Sequence, residues 1–372
     1  MLHKWRKKKS SPIGVDIGSR YVKLAQMQRS PDGGETLRVV HEPVPDDLHE
    51  SSRYTPSVLV PLLRKMIETV GFEGSRAVAC IPERMIRYQN LRLMSASDDE
   101  LDAVVSEKAT EQLDLDPKDH KIEYFDAGEV WESDESRREI IAMVASISAI
   151  EDLLSTLARS GLRTMAIDAA PAATARLATQ HDFGNVNPGP RVVLDVGYLT
   201  TTMVVAQDEE IHLARTLEMG TSGVTELVAE RLNISPTDAD TIVAVVNGSQ
   251  NVEYTQLNMI ELPYSRVFEI VDEAQRIFAK RLAREIAKSI RYYAISFRDD
   301  QPAYGLLLGG TACQRGLDAI LLDETGVVFQ IPERLSGLSI TSSQHYSSVN
   351  ASASMYALAA GLSTYDAGDM AA

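Results

Sequence analysis

The sequence contains few cysteines, few aromatic residues and no long apolar run. Its 2 cysteines, Cys80 and Cys313, lack the CxxC spacing of zinc and redox sites. Two isolated thiols are typical of buried, reduced cysteines in a reducing compartment. No apolar run approaches the roughly 20 residues of a membrane-spanning helix. The sequence therefore excludes a cysteine-based metal or redox motif and predicts no membrane span.

Positive charge is also scarce. The 37 Lys and Arg residues are outnumbered by 53 Asp and Glu residues, and the formal net charge is −16. Nucleic-acid-binding domains normally present a basic face, so this composition argues against a nucleic-acid partner. The basic segment 1–12 is not followed by the apolar stretch of a signal peptide, and we predict a disordered tail. At 372 residues the chain exceeds one compact core, which favours two lobes.

Two glycine turns, about half a chain apart, share one pattern. The segments are VDIGSRYVKLAQM (15–27) and VVLDVGYLTTTMVVA (192–206), and each reads apolar strand, aspartate, apolar residue, glycine, turn and second strand. Such a β-hairpin presents a carboxylate and backbone N–H groups at one point, which suits a magnesium-bound phosphate. Two copies predict two half-domains that face each other across a cleft.

Apolar spacing predicts the organisation of the first half of the chain. A β-β-β-α-β pattern over 13–82, resumed at 163–185, predicts the core of a first lobe. The residues between them, 83–162, are predicted to form a small α+β subdomain inserted into this lobe. Within it, strands over 120–125 and 139–146 are expected to bracket an acidic loop.

The second half is predicted to form the second lobe, over 190–362. It includes a helical subdomain at about 233–300 and is followed by a tail, 363–372. A third glycine signal, GLLLGGTACQRG (305–316), reads as a strand, a Gly-Gly turn and a helix start. A glycine turn of this kind lets a nucleoside lie close to the backbone. The predicted fold class is α/β, with two lobes and an inserted subdomain.

In this order the motifs resemble the actin-like ATPase superfamily and, within it, the type IV pilus assembly protein PilM family, relatives of the division protein FtsA. The resemblance covers about Ile13 to Leu362. VDIGSRYVKLAQM resembles the first phosphate motif, the inserted subdomain has the position that PilM and FtsA give theirs, and IAKSIRYYAIS (286–296) resembles the helix before the Gly-Gly turn.

This resemblance implies two RNase-H-like lobes with ATP and Mg²⁺ in the cleft. It also implies a cytoplasmic protein, peripheral to the inner membrane. Its partner would be a short cytoplasmic peptide of an inner-membrane, PilN-like pilus protein, bound beside the inserted subdomain. Self-association is left open.

The resemblance also implies roles for individual residues. Asp16 and Asp195 would face magnesium or its waters. Asp168, at the crossover between the lobes, would either orient a catalytic water or cap the following helix. The residues implied to contact the nucleotide are Gly18, Ser19, Lys23, Gly197, Thr200, Thr201, Gly220, Gly223, Glu285, Lys288, Gly309, Gly310 and Thr311. Structural alternatives stay open: an exposed strand lysine, β-propensity for the threonines, capping for the two glycines before the helix, and a solvated helix ion pair.

Three departures from the superfamily pattern affect the nucleotide prediction. Arg20 replaces a small residue, Tyr198 and Leu199 stand where small residues are usual, and Thr311 replaces a glycine. Bulky side chains would hold phosphates away from the backbone, so we expect ATP binding with slow or absent hydrolysis in an assembly scaffold. The alternatives are an FtsA-like, membrane-associated, filament-forming division protein and a small-molecule kinase, for which Asp168 is the only candidate base.

Overall fold

The computed structural model describes residues 10–29, 35–44, 56–94, 98–132, 134–180, 189–207, 210–247, 262–312, 314–332, 338–342 and 353–365. In these ranges the chain forms two lobes and an inserted subdomain, each built on its own sheet. Most of both predicted tails, part of the helical subdomain (248–261) and Cys313 lie outside the described residues. No helix in the described ranges combines the length and the apolarity of a membrane span.

The first lobe contains a six-stranded sheet in the order β14-β3-β2-β1-β4-β8. Its opening elements follow the predicted β-β-β-α-β order: β1 (Ile13–Ile17), β2 (Tyr21–Arg29), β3 (Glu35–Pro43), α1 (Pro56–Val70) and β4 (Arg76–Cys80). After the inserted subdomain come α3 (Ile147–Arg159), β8 (Arg163–Asp168) and α4 (Ala170–Gln180). Antiparallel pairing of β1 with β2 sets Asp16 opposite Lys23, which fixes the first candidate site pair.

The inserted subdomain is smaller than predicted. It consists of β5 (Ile86–Leu93), α2 (Asp98–Leu113), β6 (His120–Glu132) and β7 (Glu135–Ser146), with the sheet order β5-β7-β6. The sequence extended it to residue 162, but Leu153 and Leu157 of α3 are buried in the first-lobe core beside Leu63 of α1. The inserted unit therefore ends near Ser146.

The predicted acidic loop of this subdomain is largely strand. The β6–β7 hairpin continues to the pair Glu132↔Glu135. Arg138 on β7 forms an ion pair with Asp126 on β6 at 2.6 Å. Cross-strand pairs between opposite charges stabilise an antiparallel ladder. Arg137 and Arg138 offset the negative charge of this segment, on which the loop prediction was based.

The second lobe contains a five-stranded sheet in the order β11-β10-β9-β12-β13. The strands are β9 (Arg191–Val196), β10 (Thr201–Gln207), β11 (Glu210–Leu217), β12 (Tyr304–Leu308) and β13 (Val328–Gln330). They pack with α5 (Ser222–Leu232), α6 (Pro236–Val246), α7 (Tyr264–Phe297) and α8 (Leu317–Thr325). The 34-residue helix α7 lies within the helical subdomain predicted at about 233–300, and its apolar residues recur at helical spacing.

The inserted subdomain docks on α7 through a buried polar network. The Glu139 side chain is 0% exposed, accepts a hydrogen bond from the Tyr292 hydroxyl at 2.8 Å and forms an ion pair with Arg92 at 3.1 Å. Arg92 also donates to the Tyr292 hydroxyl and to Ser296 Oγ, each at 3.0 Å. Because a buried carboxylate needs such partners, the network ties the subdomain to the second lobe.

The last elements return to the first lobe, whereas the sequence placed all of 190–362 in the second. β14 (Leu338–Ser342) pairs in parallel with β3, and α9 (Ala357–Ser363) packs against β1 and α4. Glycines permit the close approach: a Cβ at Gly14 would lie 1.9 Å from Ala359 O, and one at Gly361 2.1 Å from Ala173 O. Local sequence patterns do not encode such long-range pairing, which explains the difference.

Candidate functional site

The structure brings the two predicted aspartates to one lysine. Lys23 Nζ donates a hydrogen bond to Asp16 Oδ2 at 2.6 Å. The charges of Lys23 and Asp16, in the first lobe, both act on Asp195 at the end of β9 in the second lobe. The side chains of Lys23 and Asp16 are only 15% and 6% exposed. The Lys23–Asp16 pair of the first lobe therefore lies within electrostatic range of the Asp195 carboxylate of the second lobe.

Burial dominates the electrostatics of this cluster. Desolvation raises the pKa of Asp195 to about 6; Lys23 opposes this increase and Asp16 adds to it. Desolvation alone would lower the pKa of Lys23, but Asp16 and Asp195 together hold that pKa above its usual value. The cluster thus contains two acidic groups and one permanent cation, and can accept further positive charge.

Both glycine turns have the same backbone geometry. The N–H of Gly18 donates to Tyr21 O at 3.1 Å, and the N–H of Gly197 donates to Thr200 O at 2.9 Å. A Cβ at Gly18 would lie 2.9 Å from Tyr21 O, and one at Gly197 2.8 Å from Thr200 O. Neither turn accommodates a side chain at its glycine. Ser19 lies at the first turn, partly exposed.

The Gly-Gly turn packs directly against the second hairpin. Gly309 has a φ of +95°, and a Cβ there would lie 2.7 Å from Asp195 Oδ1. Thr311 Oγ1 donates to Val196 O at 2.7 Å, while Gly310 is exposed. The turn therefore lies beside the Asp195 carboxylate, and its role as an adenosine-binding turn stays a prediction. The threonine in place of a third glycine stabilises the turn with its hydroxyl.

The loop before α5 lies over the same hairpin. A Cβ at Gly220 would be 2.1 Å from Tyr198 O, which holds the loop close to the turn. Thr201 is fully buried and its hydroxyl donates to Met219 O at 2.7 Å, so this side chain supports the loop. The N–H of Gly223 donates to Gly220 O at 3.2 Å at the start of α5, which favours the capping alternative for both glycines.

Three predicted site residues form contacts with residues nearby in the sequence. Glu285 and Lys288 form an ion pair with each other at 2.6 Å, with the lysine side chain 60% exposed, as in a solvated helix pair. Asp168 accepts the N–H of Ala169 at 2.8 Å and forms an ion pair with Arg176 of α4 at 2.5 Å. Both of its carboxylate oxygens are thus engaged at the start of α4, which favours the structural alternative.

Glu83 is a candidate residue that the sequence did not indicate. It follows β4 and Pro82, and it accepts hydrogen bonds from the Tyr88 hydroxyl at 3.1 Å and from Thr216 Oγ1 of the second lobe at 2.6 Å. Desolvation raises its pKa to about 7, against the effect of these hydrogen bonds. No motif marks such a glutamate, because its partners lie on distant strands.

Glu83 borders a cavity of about 950 Å³ between the inserted subdomain and the second lobe. Consecutive residues of β5 (86–90) and of β11 (213–216) form opposite walls, and Ser289 and Tyr292 of α7 also line it. β5 and β11 are edge strands of their respective sheets. Since consecutive strand residues point to opposite faces, the cavity follows the two strand edges.

The donor set fits a metal that arrives with a nucleotide. The described part of the chain contains no group of three or more His, Cys, Asp or Glu side chains placed to hold a metal ion. Mg²⁺ on a nucleotide needs only one or two carboxylates, because phosphates and waters supply its other ligands. Asp16 and Asp195 suit that role, and the glycine turns suit phosphate oxygens through backbone N–H groups.

Comparison with solved structures shows the same fold in known proteins. The chain is similar to a PilM-PilN type IV pilus biogenesis complex, with a TM-score of 0.72 and 19% identity over 96% of this chain and 98% of that one. It is also similar to the ethanolamine utilization protein EutJ from Carboxydothermus hydrogenoformans, with a TM-score of 0.53 and 14% identity over 96% and 90% of the two chains. At these identities the similarity shows the fold alone.

These matches confirm the predicted actin-like fold class. A family model described as type IV pilus assembly protein PilM matches residues 14–365. The match spans both lobes and the inserted subdomain. Because it covers nearly the whole sequence, the chain belongs to the type IV pilus assembly protein PilM family.

Proposed function

We propose that this protein is a nucleotide-binding scaffold for assembly of a type IV pilus or a related secretion machine. It would bind ATP with Mg²⁺ between its lobes and a short peptide of an inner-membrane partner beside its inserted subdomain. The observation that carries the proposal is the convergence of Asp16 and Asp195 on Lys23. Family membership favours this role over the division-protein alternative.

The proposed nucleotide site uses each part of the cleft differently. The N–H groups of Gly18 and Gly197 donate within their own turns, so the residues that follow each glycine would offer their N–H groups to phosphate oxygens, and Lys23 would add positive charge. The turn at Gly309 lies beside Asp195 and provides a floor without side chains for the nucleoside. Asp168, the predicted base, is held at the start of α4 by the N–H of Ala169 and by Arg176, and the bulky Arg20 and Tyr198 stand at the two turns. We therefore propose that hydrolysis is slow or absent.

Calorimetry with Mg-ATP tests this site. The wild-type protein should bind, and Asp195→Asn should weaken binding at least tenfold because it removes a carboxylate that orients the metal's waters. Glu285→Gln is the matched control, since Glu285 forms an ion pair with the exposed Lys288 on the same helix; its affinity should equal that of wild type. Absence of binding by folded wild-type protein would refute the nucleotide role and leave the scaffold role untouched.

For the partner peptide we propose the cavity between β5 and β11. An extended peptide binds to an exposed strand edge through main-chain hydrogen bonds, and two such edges face this cavity. A relative of similar fold is known in a PilM-PilN complex, and we propose a PilN-like protein as the partner here. Binding to the cytoplasmic segment of such a protein would place this chain in the cytoplasm, peripheral to the inner membrane.

Peptide titration monitored by fluorescence anisotropy tests the partner site. The probe is the labelled cytoplasmic segment of the PilN protein from the same organism. Arg87 and Arg215 are exposed and line opposite walls of the cavity, so Arg87→Glu and Arg215→Glu should each change the affinity at least fivefold. Lys121→Glu, on the exposed part of β6, is the control. Affinities equal to that of the wild type in both arginine variants would exclude this cavity as the peptide site.

A further inference from the structure

The bulky residues that depart from the superfamily pattern contact each other across the cleft. Arg20, at the first-lobe turn, forms an ion pair with Asp240 of α6 at 2.5 Å. Its guanidinium carbon lies 5.4 Å from the centroid of the Tyr198 ring, at the second-lobe turn, and 5.7 Å from that of the Tyr21 ring. One arginine therefore joins the first phosphate turn to two elements of the second lobe.

Each partner of Arg20 is itself held in place. Asp240 Oδ1 accepts a hydrogen bond from Thr225 Oγ1 of α5 at 3.4 Å, which links α5 and α6 at this point. Tyr198 O accepts the N–H of Ser222 at 2.8 Å at the start of α5. The side chains of Arg20 and Asp240 are 29% and 27% exposed, so water reaches the pair and it can open and close.

We propose that Arg20, Tyr198 and Asp240 form a latch that joins the lobes at the phosphate end of the cleft and controls nucleotide entry and exit. Arg20 and Tyr198 are complementary departures: a small residue at either position would abolish the cation–π contact. Arg20 does not block its own turn, because its side chain extends to the other lobe. The part of the proposal that concerns exchange rests on the proposed nucleotide site, whereas the joining of the lobes does not.

Arg20 could also have a simpler role as a direct phosphate ligand. The two roles predict opposite effects of losing Asp240 on nucleotide binding. If Arg20 is a latch, losing either Arg20 or Asp240 shifts the lobes toward the open state. Losing Arg20 breaks the ion pair and the cation–π contact, whereas losing Asp240 breaks only the ion pair. If Arg20 is only a phosphate ligand, losing Asp240 frees the guanidinium and tightens nucleotide binding. An ion pair of this exposure contributes up to about 1 kcal/mol, which corresponds to about a fivefold change in the open-to-closed ratio.

The first experiment measures the distance between the lobes without nucleotide. Spin labels are placed at Glu68→Cys in the first lobe and Asp318→Cys in the second, both exposed, in a Cys313→Ser background; Cys80 is buried. Asp240→Asn should increase the population of long distances about fivefold, and Arg20→Gln by at least as much, because it also removes the cation–π contact. The control is Arg231→Gln, which breaks the ion pair with Glu273 within the second lobe and should not change the distribution. Unchanged distributions in both latch variants would overturn the proposal.

The second experiment measures exchange of a fluorescent ATP analogue by stopped flow. Both latch variants should speed association and dissociation, Asp240→Asn about fivefold and Arg20→Gln at least as much, and the double variant should match Arg20→Gln. Weaker binding in Arg20→Gln together with tighter binding in Asp240→Asn would overturn the latch in favour of a phosphate ligand. If wild-type protein binds no nucleotide, the proposed nucleotide function fails, and the distance measurement still decides whether the latch exists.

Discussion

The most informative perturbation is Lys23→Met, which removes the cation between the facing carboxylates but keeps a side chain of similar length. Lys23 is 15% exposed and its partner Asp16 6% exposed. Removing one partner of a buried ion pair costs about 3–5 kcal/mol because the other charge is left unpaired. The variant can limit this loss by protonating Asp195, whose pKa is already about 6. Taking up a proton at pH 7.5 costs at most about 2 kcal/mol, because the loss of Lys23 raises that pKa further, and Asp16 loses its hydrogen bond at a cost of about 1 kcal/mol.

We therefore expect Lys23→Met to lose about 2–3 kcal/mol of unfolding free energy at pH 7.5, and less at pH 5.5, where a proton replaces the ammonium group. The vacated position should also accept a divalent cation. With a dissociation constant of about 1 mM, 10 mM Mg²⁺ would stabilise the variant by about 1.4 kcal/mol. Wild-type protein should gain little from Mg²⁺ alone, because Lys23 already offsets part of the carboxylate charge and no phosphate is present to supply the other ligands of the metal.

Urea unfolding followed by circular dichroism, at both pH values and with or without MgCl₂, measures these effects. Lys288→Met removes an exposed lysine with one ion-pair partner on the same helix and should change stability by less than about 0.5 kcal/mol. If Lys23→Met matched this control at both pH values and did not respond to Mg²⁺, the facing carboxylates would not be held by Lys23. The interpretation of the cleft would then be refuted.

Three further predictions follow from buried contacts. Because burial raises the pKa of Glu83 from 4.5 to about 7, the folded state retains a proton that the unfolded chain loses, so stability falls as pH rises through this interval; Glu83→Gln should remove this fall, about 3 kcal/mol by urea titration. Gly361→Ala should lower the melting temperature by several degrees, whereas Gly310→Ala, whose Cβ meets only a side chain at 3.9 Å, should not. Tyr292→Phe should cost about 1–3 kcal/mol in urea unfolding because Glu139 loses a buried donor.

The sequence predicted the elements whose signals are local. Both Asp-Gly hairpins have the predicted strands and turns, because alternation and glycine position are properties of short segments. Helix α7 lies within the helical subdomain predicted at about 233–300, since apolar spacing persists along its 34 residues. The resemblance to the superfamily also gave the correct fold class.

Long-range contacts could not be predicted from the sequence. The parallel pairing of β14 with β3 joins the two ends of the chain, and no local pattern specifies that partner. The packing of α3 against α1, which shortens the inserted subdomain, likewise depends on the core that both share. In the site, Arg20 and Tyr198 were identified only as departures from the superfamily pattern, because their contact joins two lobes that are distant in sequence. Glu83 had no sequence signal for the same reason.

The return of α9 to the first lobe has a consequence for how the protein is made. During synthesis, the strands of the first lobe emerge from the ribosome long before the helix that packs on β1. Domains generally fold as units during translation, but this lobe stays incomplete until residue 363 has been added. The second lobe can finish earlier, so the half of the molecule that is translated first is the last to reach its native packing.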